Sequence, residues 1–360
     1  MKKKILISTG GSGGHVVPAT IFYDHLKDEF DVCMTSDQRG IQFLDKDKYN
    51  VEIINVTKIS KNIFLLPFQI FSLLHLIFKS FFFLKRKNIE ILISTGGYMS
   101  LPLCLVSKIL NIQLFLFEPN IVLGRSNKFF INSCRKIFCY SDKIKNFPNK
   151  LNDKIYLIPS LLRKEFYSTK ISRNIDIDID REINLLIIGG SQGAKLFNTA
   201  IRDSIIELSK KFKLKVFHQT GFNNYNDLKN FYLKNKIEND LFDFTEDITN
   251  FMNKSNLSIT RAGASTLAEL IFLNVPHIVI PLPSAKDNHQ LENALFYHKI
   301  GCNWILNQNE MSSTNLTDKL FNIIENKEEY LDKKMNMKNF NYKNTWNNIN
   351  QKIITTINEN

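Results

Sequence analysis

Along the chain, short runs of apolar, β-branched and aromatic residues alternate with longer stretches of helical spacing. This is the pattern of an α/β protein, in which each strand is followed by a helix that covers it. In the first half the runs predict strands at Lys4–Ser8, Val32–Thr35, Val51–Asn55, Ile91–Ser94, Gln113–Phe117, Lys136–Cys139 and Lys154–Leu157. In the second half they predict strands at Asn184–Ile188, Lys215–His218, Leu241–Phe244, Leu257–Ile259, His277–Ile280 and Asn303–Leu306. Residues 169–182 (TKISRNIDIDIDRE) are polar and poor in core-forming bulk, as a linker would be. The expected domains are therefore 1–168 and 183–339, with a last helix near 340–357 able to pack back on the first. Each half opens with a strand, a glycine-rich loop and a helix: ILISTGGSGGH at Ile5–His15 and LLIIGGSQGAK at Leu185–Lys195. Two such halves predict two Rossmann-like domains facing across a cleft.

One segment breaks the rhythm. Ile63–Leu84 is nearly apolar and about as long as a membrane span. Its polar exceptions, Gln69, Ser72, His75 and Lys79, recur at helical spacing and mark one face, and a charge at mid-bilayer is costly. Lys58, Lys61, Lys85, Arg86 and Lys87 flank the run. The pattern predicts a helix lying in the interface of an anionic membrane, with Phe64, Leu65, Phe68, Phe71, Leu74 and Phe78 facing lipid. A buried core helix is the alternative.

Composition narrows the class. With 360 residues, 44% hydrophobic and 23% charged, the chain is globular and long enough for two domains. The net charge is +12, and residues 1–160 hold 22 Lys and Arg against 12 Asp and Glu. That concentration points to an anionic partner on the first domain: nucleic acid, acidic membrane or a phosphorylated substrate. No nucleic-acid-binding motif is present, so that partner is not expected. Five cysteines without metal-site spacing read as buried thiols in a reducing compartment. The Gly10–Gly14 interruption argues against a signal peptide, so a cytoplasmic location is expected.

The chemistry lies at strand ends. Gly10-Gly11-Ser12-Gly13-Gly14-His15 lets backbone approach phosphate beside a helix N-terminus, with Pro18 expected in that helix's first turn. It is neither the dinucleotide fingerprint, whose third glycine would fall at Val16, nor a P-loop, which needs Gly-Lys-Ser/Thr. His15 suits a general base, or it packs at the turn. Ser94-Thr95-Gly96-Gly97-Tyr98 and Phe117-Glu118-Pro119-Asn120 follow two further strands. Glu118 is a second candidate base, or a solvated loop carboxylate. In the second half, Gly189-Gly190-Ser191-Gln192-Gly193 is another phosphate-suited turn. Thr260–Leu270 opens a helix in which Glu269 either accepts from ribose hydroxyls or forms a capping box with Thr266. Pro281–Asn293 is dense in hydrogen-bonding side chains suited to sugar hydroxyls. The Asp176–Asp180 repeat is read as linker charge and not as a metal motif, and the Asn-rich tail from Lys333 as compositional bias.

In series, GGSGGHVVPA (Gly10–Ala19), STGGYMSLP (Ser94–Pro102), EPN…GRSNK (Glu118–Lys128), GGSQGAKLFN (Gly189–Asn198), TRAGASTLAEL (Thr260–Leu270) and PLPSAKDNHQLENA (Pro281–Ala294) resemble the MurG family, the glycosyltransferases of bacterial peptidoglycan synthesis. The resemblance implies a GT-B α/β fold. It implies inverting transfer of N-acetylglucosamine from UDP-N-acetylglucosamine to lipid I on the cytoplasmic membrane face, forming lipid II with no cofactor or catalytic metal. By motif, Ser191, Gln192, Arg261, Ala264, Ser265, Glu269 and Gln290 would bind the donor. Gly11, Gly96, Gly97 and Tyr98 would hold the acceptor near its pyrophosphate. Ser12, Gly13 and Gly14 would lie beside that pyrophosphate and, with Asn120, also reach the donor. His15 and Glu118 would be catalytic, His15 being favoured as the base. Phe117 and Pro119 depart from the family's His-Glu-Gln-Asn. Three rivals remain: a diacylglycerol glycosyltransferase, a UDP-N-acetylglucosamine 2-epimerase, and a non-catalytic membrane-recruited binding protein.

Overall fold

The structure, a computed structural model, describes residues 2–45, 47–55, 66–168, 182–189, 196–221, 224–243, 245 and 247–359. Its contacts form two compact units, one of residues up to Leu161 plus those from Trp346 onward, the other Leu162–Thr345. The expected first domain ran to residue 168; the contacts assign Leu162–Ser168 to the second unit instead. Asp176–Asp180 and most of the expected linker lie outside the described residues.

Among the described residues of the first unit the strands are β1 Lys4–Ser8, β2 Asp31–Ser36, β3 Val51–Ile53, β4 Ile91–Ser94, β5 Gln113–Glu118, β6 Lys136–Cys139 and β7 Ile155–Leu157. They form one sheet in the order β3-β2-β1-β4-β5-β6-β7. Every pairing is parallel. A parallel sheet is covered on both faces, which is why the central strands read as unbroken apolar runs. The order reverses between β1 and β4, whose registers place Ser8 beside Ser94. The loops after these two strands therefore emerge side by side at the switch point where doubly wound sheets bind ligands.

Helix α1, Gly13–Leu26, buries Val16, Ala19, Phe22 and Leu26 on one face. Phe22 meets Phe117 edge-on at 5.3 Å between ring centroids, so the strand before Glu118 is packed against the helix that carries His15. Pro18 sits inside α1, not in its first turn, because the helix begins at Gly13. Lacking N–H, it leaves the Gly14 carbonyl without its usual helical donor. The Asn-rich tail is more than compositional bias. Helix Trp346–Glu359 buries Ile349, Ile353 and Ile357 at spacings of four and belongs to the first unit. Trp346 stacks on His25 with centroids 3.7 Å apart, and His25 Nδ1 lies 3.1 Å from Asn350 Oδ1.

Helix α2, Leu66–Arg86, is long and apolar enough to cross a membrane by length and composition, yet only 17% of its most apolar window is buried. Phe83 and Leu84 anchor its C-terminal end in the core with Leu103 and Val106. Phe68, Phe71, Leu74, Phe78 and Phe82 form an exposed apolar stripe instead of core. Phe64 and Leu65 lie outside the described residues.

The second unit's strands, among the described residues, are β8 Glu182–Ile188, β9 Lys213–Gln219, β10 Glu238–Phe242, β11 Leu257–Thr260, β12 His277–Val279 and β13 Trp304–Ile305. The order β10-β9-β8-β11-β12-β13 repeats the first unit's plan, with its reversal between β8 and β11. Strand β10 starts three residues before the expected Leu241. An edge strand does not need an apolar run, and Lys215 on β9 pairs with Glu238 at 2.7 Å and Asp240 at 3.4 Å.

Candidate functional site

The expected catalytic loops of the first unit follow β1, β4 and β5, neighbours at and beside the strand-order reversal. Ser12 is the N-cap of α1 with extended backbone, and its carbonyl accepts from the amides of His15 at 3.0 Å and Val16 at 3.1 Å. The first amides of a helix have no intrahelical acceptor, so Gly13 and Gly14 face the loop as phosphate-suited donors. His15 Nδ1 lies 2.9 Å from the carbonyl oxygen of Thr95, which bridges the first glycine loop to the second. Thr95 is itself fixed, its hydroxyl 2.9 Å from that of Thr9. The imidazole lies against the Gly96-Gly97 turn. Gly97 has φ +82°, and a Cβ there would stand 3.4 Å from His15 Cδ2, so both backbone conformation and ring favour glycine. Ser100 closes the turn by donating to the Gly97 carbonyl at 2.8 Å. Tyr98, half-buried, follows directly.

Glu118 ends β5 and is 2% exposed. Oε1 accepts from the Asn120 amide at 3.2 Å and from Asn120 Nδ2 at 3.0 Å. Oε2 accepts from the Gly124 amide at 2.7 Å and from Asn127 Nδ2 at 2.9 Å. Burial raises its pKa and these donors oppose the rise. Both oxygens are committed to folding residues 118–127 into a closed loop. Glu118 is thus not a solvated loop carboxylate, and Asn127 is a structural partner that sequence reasoning did not single out.

In the second unit, Ser191 and Gln192 lie outside the described residues. Helix Ala264–Phe272 begins after the N-cap Gly263, which makes no side-chain cap. Thr266 therefore lies within the helix, and the Thr266–Glu269 capping box does not form. Glu269, largely buried, faces Arg163 at 3.8 Å; burial raises its pKa and the guanidinium counters it. Ala264 and Ser265 occupy the first turn of that helix. Arg261 is buried, donating through Nη1 to the Ile280 carbonyl at 3.0 Å with its guanidinium 4.9 Å from the Phe197 ring centroid. Its side chain braces the loop floor, where the motif had suggested a direct contact to diphosphate. Gln290 Oε1 accepts from the amides of Ala262 at 3.3 Å and Leu282 at 2.9 Å, tying the loops after β11 and β12 together. No hydrogen bond donated by its amide nitrogen is found among the described residues.

Sequence reasoning missed Asp37 and Arg163. Asp37 follows β2 and carried no motif, although its place at a strand end beside the reversal was a usable signal. Arg163 lies among the residues the expected boundary gave to the other domain.

Two doubly wound parallel sheets, each with glycine-rich sequence after its first strand, are the architecture of GT-B glycosyltransferases. The model of the glycosyltransferase family 28 N-terminal domain matches residues 5–139, and that of the family's C-terminal domain matches residues 184–350. A UDP-N-acetylglucosamine–N-acetylmuramyl-(pentapeptide) pyrophosphoryl-undecaprenol N-acetylglucosamine transferase of Pelagibacter ubique is 61% identical over 360 residues, covering 100% of both chains. A protein of the same name from Rickettsia bellii is 33% identical over 328 residues, covering 90% of this chain and 91% of the relative. The crystal structure of Acinetobacter baumannii MurG superposes with a TM-score of 0.77 at 23% identity, covering 99% of this chain and 100% of that one. A UDP-GlcNAc 2-epimerase from Neisseria meningitidis also superposes, with a TM-score of 0.65 at 16% identity, covering 99% of this chain and 100% of that one, which shows the shared fold alone. The chain belongs to glycosyltransferase family 28 and has the GT-B fold class expected from its motifs.

Proposed function

We propose that this glycosyltransferase moves N-acetylglucosamine from UDP-N-acetylglucosamine to the N-acetylmuramyl-pentapeptide of a pyrophosphoryl-undecaprenol lipid, making the lipid II precursor of peptidoglycan. The observation that carries the reading is the 61% identity over full length to a relative named for that reaction. The local chemistry supports it. The Thr95 carbonyl can only accept, so Nδ1 of His15 carries a hydrogen, and in the neutral form of the ring Nε2 is the atom that can take a proton. His15 Nε2 takes the proton from the acceptor hydroxyl as that oxygen attacks the anomeric carbon. The bond to UDP breaks with its electron pair on the leaving phosphate, inverting the centre. Amides of the helix opening at Ala264 stabilise that charge without a metal. Glu269 accepts from the ribose hydroxyls, and Gln290 donates to the sugar. The acceptor's pyrophosphate meets the first unit's loops: Gly11, Gly96, Gly97 and Tyr98, beside Ser12–Gly14. Glu118 holds the loop that presents Asn120.

The exposed apolar stripe on α2, ending in Lys85 and Arg86, docks the protein on the cytoplasmic surface of an anionic membrane, where a polyprenyl acceptor resides. A diacylglycerol glycosyltransferase shares that need for a membrane, whereas an epimerase does not. Labelled UDP-N-acetylglucosamine offered with lipid I, with diacylglycerol and with neither decides among them. Label in lipid I is expected; label in diacylglycerol, or epimerisation of free donor without transfer, overturns the proposal.

A further inference from the structure

The residues after β2 carry a cluster that no motif marked. Asp37 is 4% exposed, and its Oδ1 accepts from the Gly11 amide at 2.7 Å and the Gly40 amide at 2.8 Å. Its Oδ2 accepts from Arg39 Nε at 3.0 Å and Nη2 at 2.9 Å. The packing is tight enough that a Cβ on Gly40 would stand 2.3 Å from Ser36 Oγ and 3.0 Å from Gly10 Cα. One buried carboxylate thus holds the first glycine loop and orients a guanidinium at the same time. The Arg39 side chain is 44% exposed, in contrast to Asp37, so the pair turns its cationic end outward. Arg39 Cζ lies 5.2 Å from the Tyr98 ring centroid, and Nη2 is 3.6 Å from where a Cβ of Gly11 would be. The guanidinium therefore sits beside both glycine loops of the first unit, over Tyr98 and close to Gly11. It has five N–H donors, and Asp37 uses two.

We propose that Arg39 binds the diphosphate of the lipid-linked acceptor, and that Asp37 is the positioning residue that aims it. This rests on the acceptor assignment above and adds a residue to it. A guanidinium suits the role because its planar fork matches phosphate oxygens, and because holding it against Asp37 and Tyr98 removes rotamer freedom before the ligand arrives. An arginine that served only to neutralise Asp37 would not need to overhang Tyr98 and Gly11.

The test is steady-state kinetics with a short-chain, water-soluble diphosphate acceptor, so that membrane binding contributes nothing. For Arg39→Gln the acceptor KM should rise about tenfold, with kcat and the KM for UDP-N-acetylglucosamine changed less than twofold. Arg39→Lys should recover part of the loss, since it keeps the charge without the fork. An unchanged acceptor KM, an equal rise in both KM values, or a lysine variant as weak as the glutamine one overturns the proposal. Should Arg39→Gln fail to fold, Arg39→Lys carries the test: a roughly threefold rise confined to the acceptor KM supports it, and no change refutes it. If the wild-type protein glycosylates no diphosphate acceptor at all, both the function and this inference fail. If it does so and the Arg39 variants match it, only the inference fails.

Discussion

Nδ1 of His15 is bonded to the carbonyl oxygen of Thr95 across 2.9 Å, joining the loop after β1 to the loop after β4. The bond fixes the ring's tautomer and tilt, and a general base needs both. Replacing His15 by Ala should lower kcat by about 100- to 10,000-fold, the range for loss of a positioned acid–base group. The KM for UDP-N-acetylglucosamine and the melting temperature should change little. A kcat within fivefold of wild type would remove His15 from the proton transfer.

Glu118 can be separated from His15 by its hydrogen bonds. Both its oxygens accept N–H donors, so Glu118→Gln would set amide hydrogens against donors of its own loop. A cost of about 1–3 kcal/mol is expected for a buried donor left unmatched. Thermal melts should show the loss, with activity falling alongside. A variant that melts like the wild type but turns over a thousandfold more slowly would instead make Glu118 the base.

The apolar stripe of α2 predicts a behaviour that the core does not share. Phe71 is 71% exposed, Leu74 58% and Phe78 64%. Changing all three to Ser should leave folding intact and weaken binding to anionic vesicles more than a hundredfold, given about 1.5–3 kcal/mol per buried large apolar side chain. Sedimentation with vesicles, alongside turnover of a soluble acceptor, measures the two effects separately. Unchanged sedimentation would leave the stripe without a membrane role.

Acid should destabilise the protein before its carboxylates titrate fully. Burial lowers the pKa of His25 to about 4, of His218 to about 3 and of His277 to about 4, against 6.5 in the unfolded chain. Between those values the unfolded state binds protons that the folded state does not. Their stabilisation is thus complete above about pH 6.5 and is lost as pH falls through the window towards 4. By pH 5 each costs about 2 kcal/mol. Urea melts at pH 7 and pH 5 should differ accordingly, and His25→Gln should shrink the difference for the first unit. Identical midpoints at both pH values would contradict the burial of these rings as neutral groups.

Much of the architecture was legible from local pattern. The strands at Lys4–Ser8, Ile91–Ser94 and Lys136–Cys139 have the expected bounds, because a strand covered on both faces must be apolar along its whole length. Legibility fell where burial was one-sided, as at the edge strand β10, set by Lys215 pairing with Glu238 and Asp240. It also fell in the tail, where the spacing of Ile349, Ile353 and Ile357 was masked by asparagine.

The sequence by itself determined that phosphate-suited glycine turns follow strands in both halves, and which His and Glu lie beside them, since turn chemistry and hydrophobic period are local. Only the tertiary structure decided what those side chains do. It bonded His15 to Thr95, enclosed Glu118 in four hydrogen bonds, and set Arg261 beneath its loop on Phe197. It also brought Asp37 and Arg39 to Gly11 and Tyr98. The partners in Gly11–Asp37 and His15–Thr95 are 26 and 80 residues apart in the chain. They meet because the sheet sets β2, β1 and β4 side by side, a long-range pairing that no window of local sequence encodes.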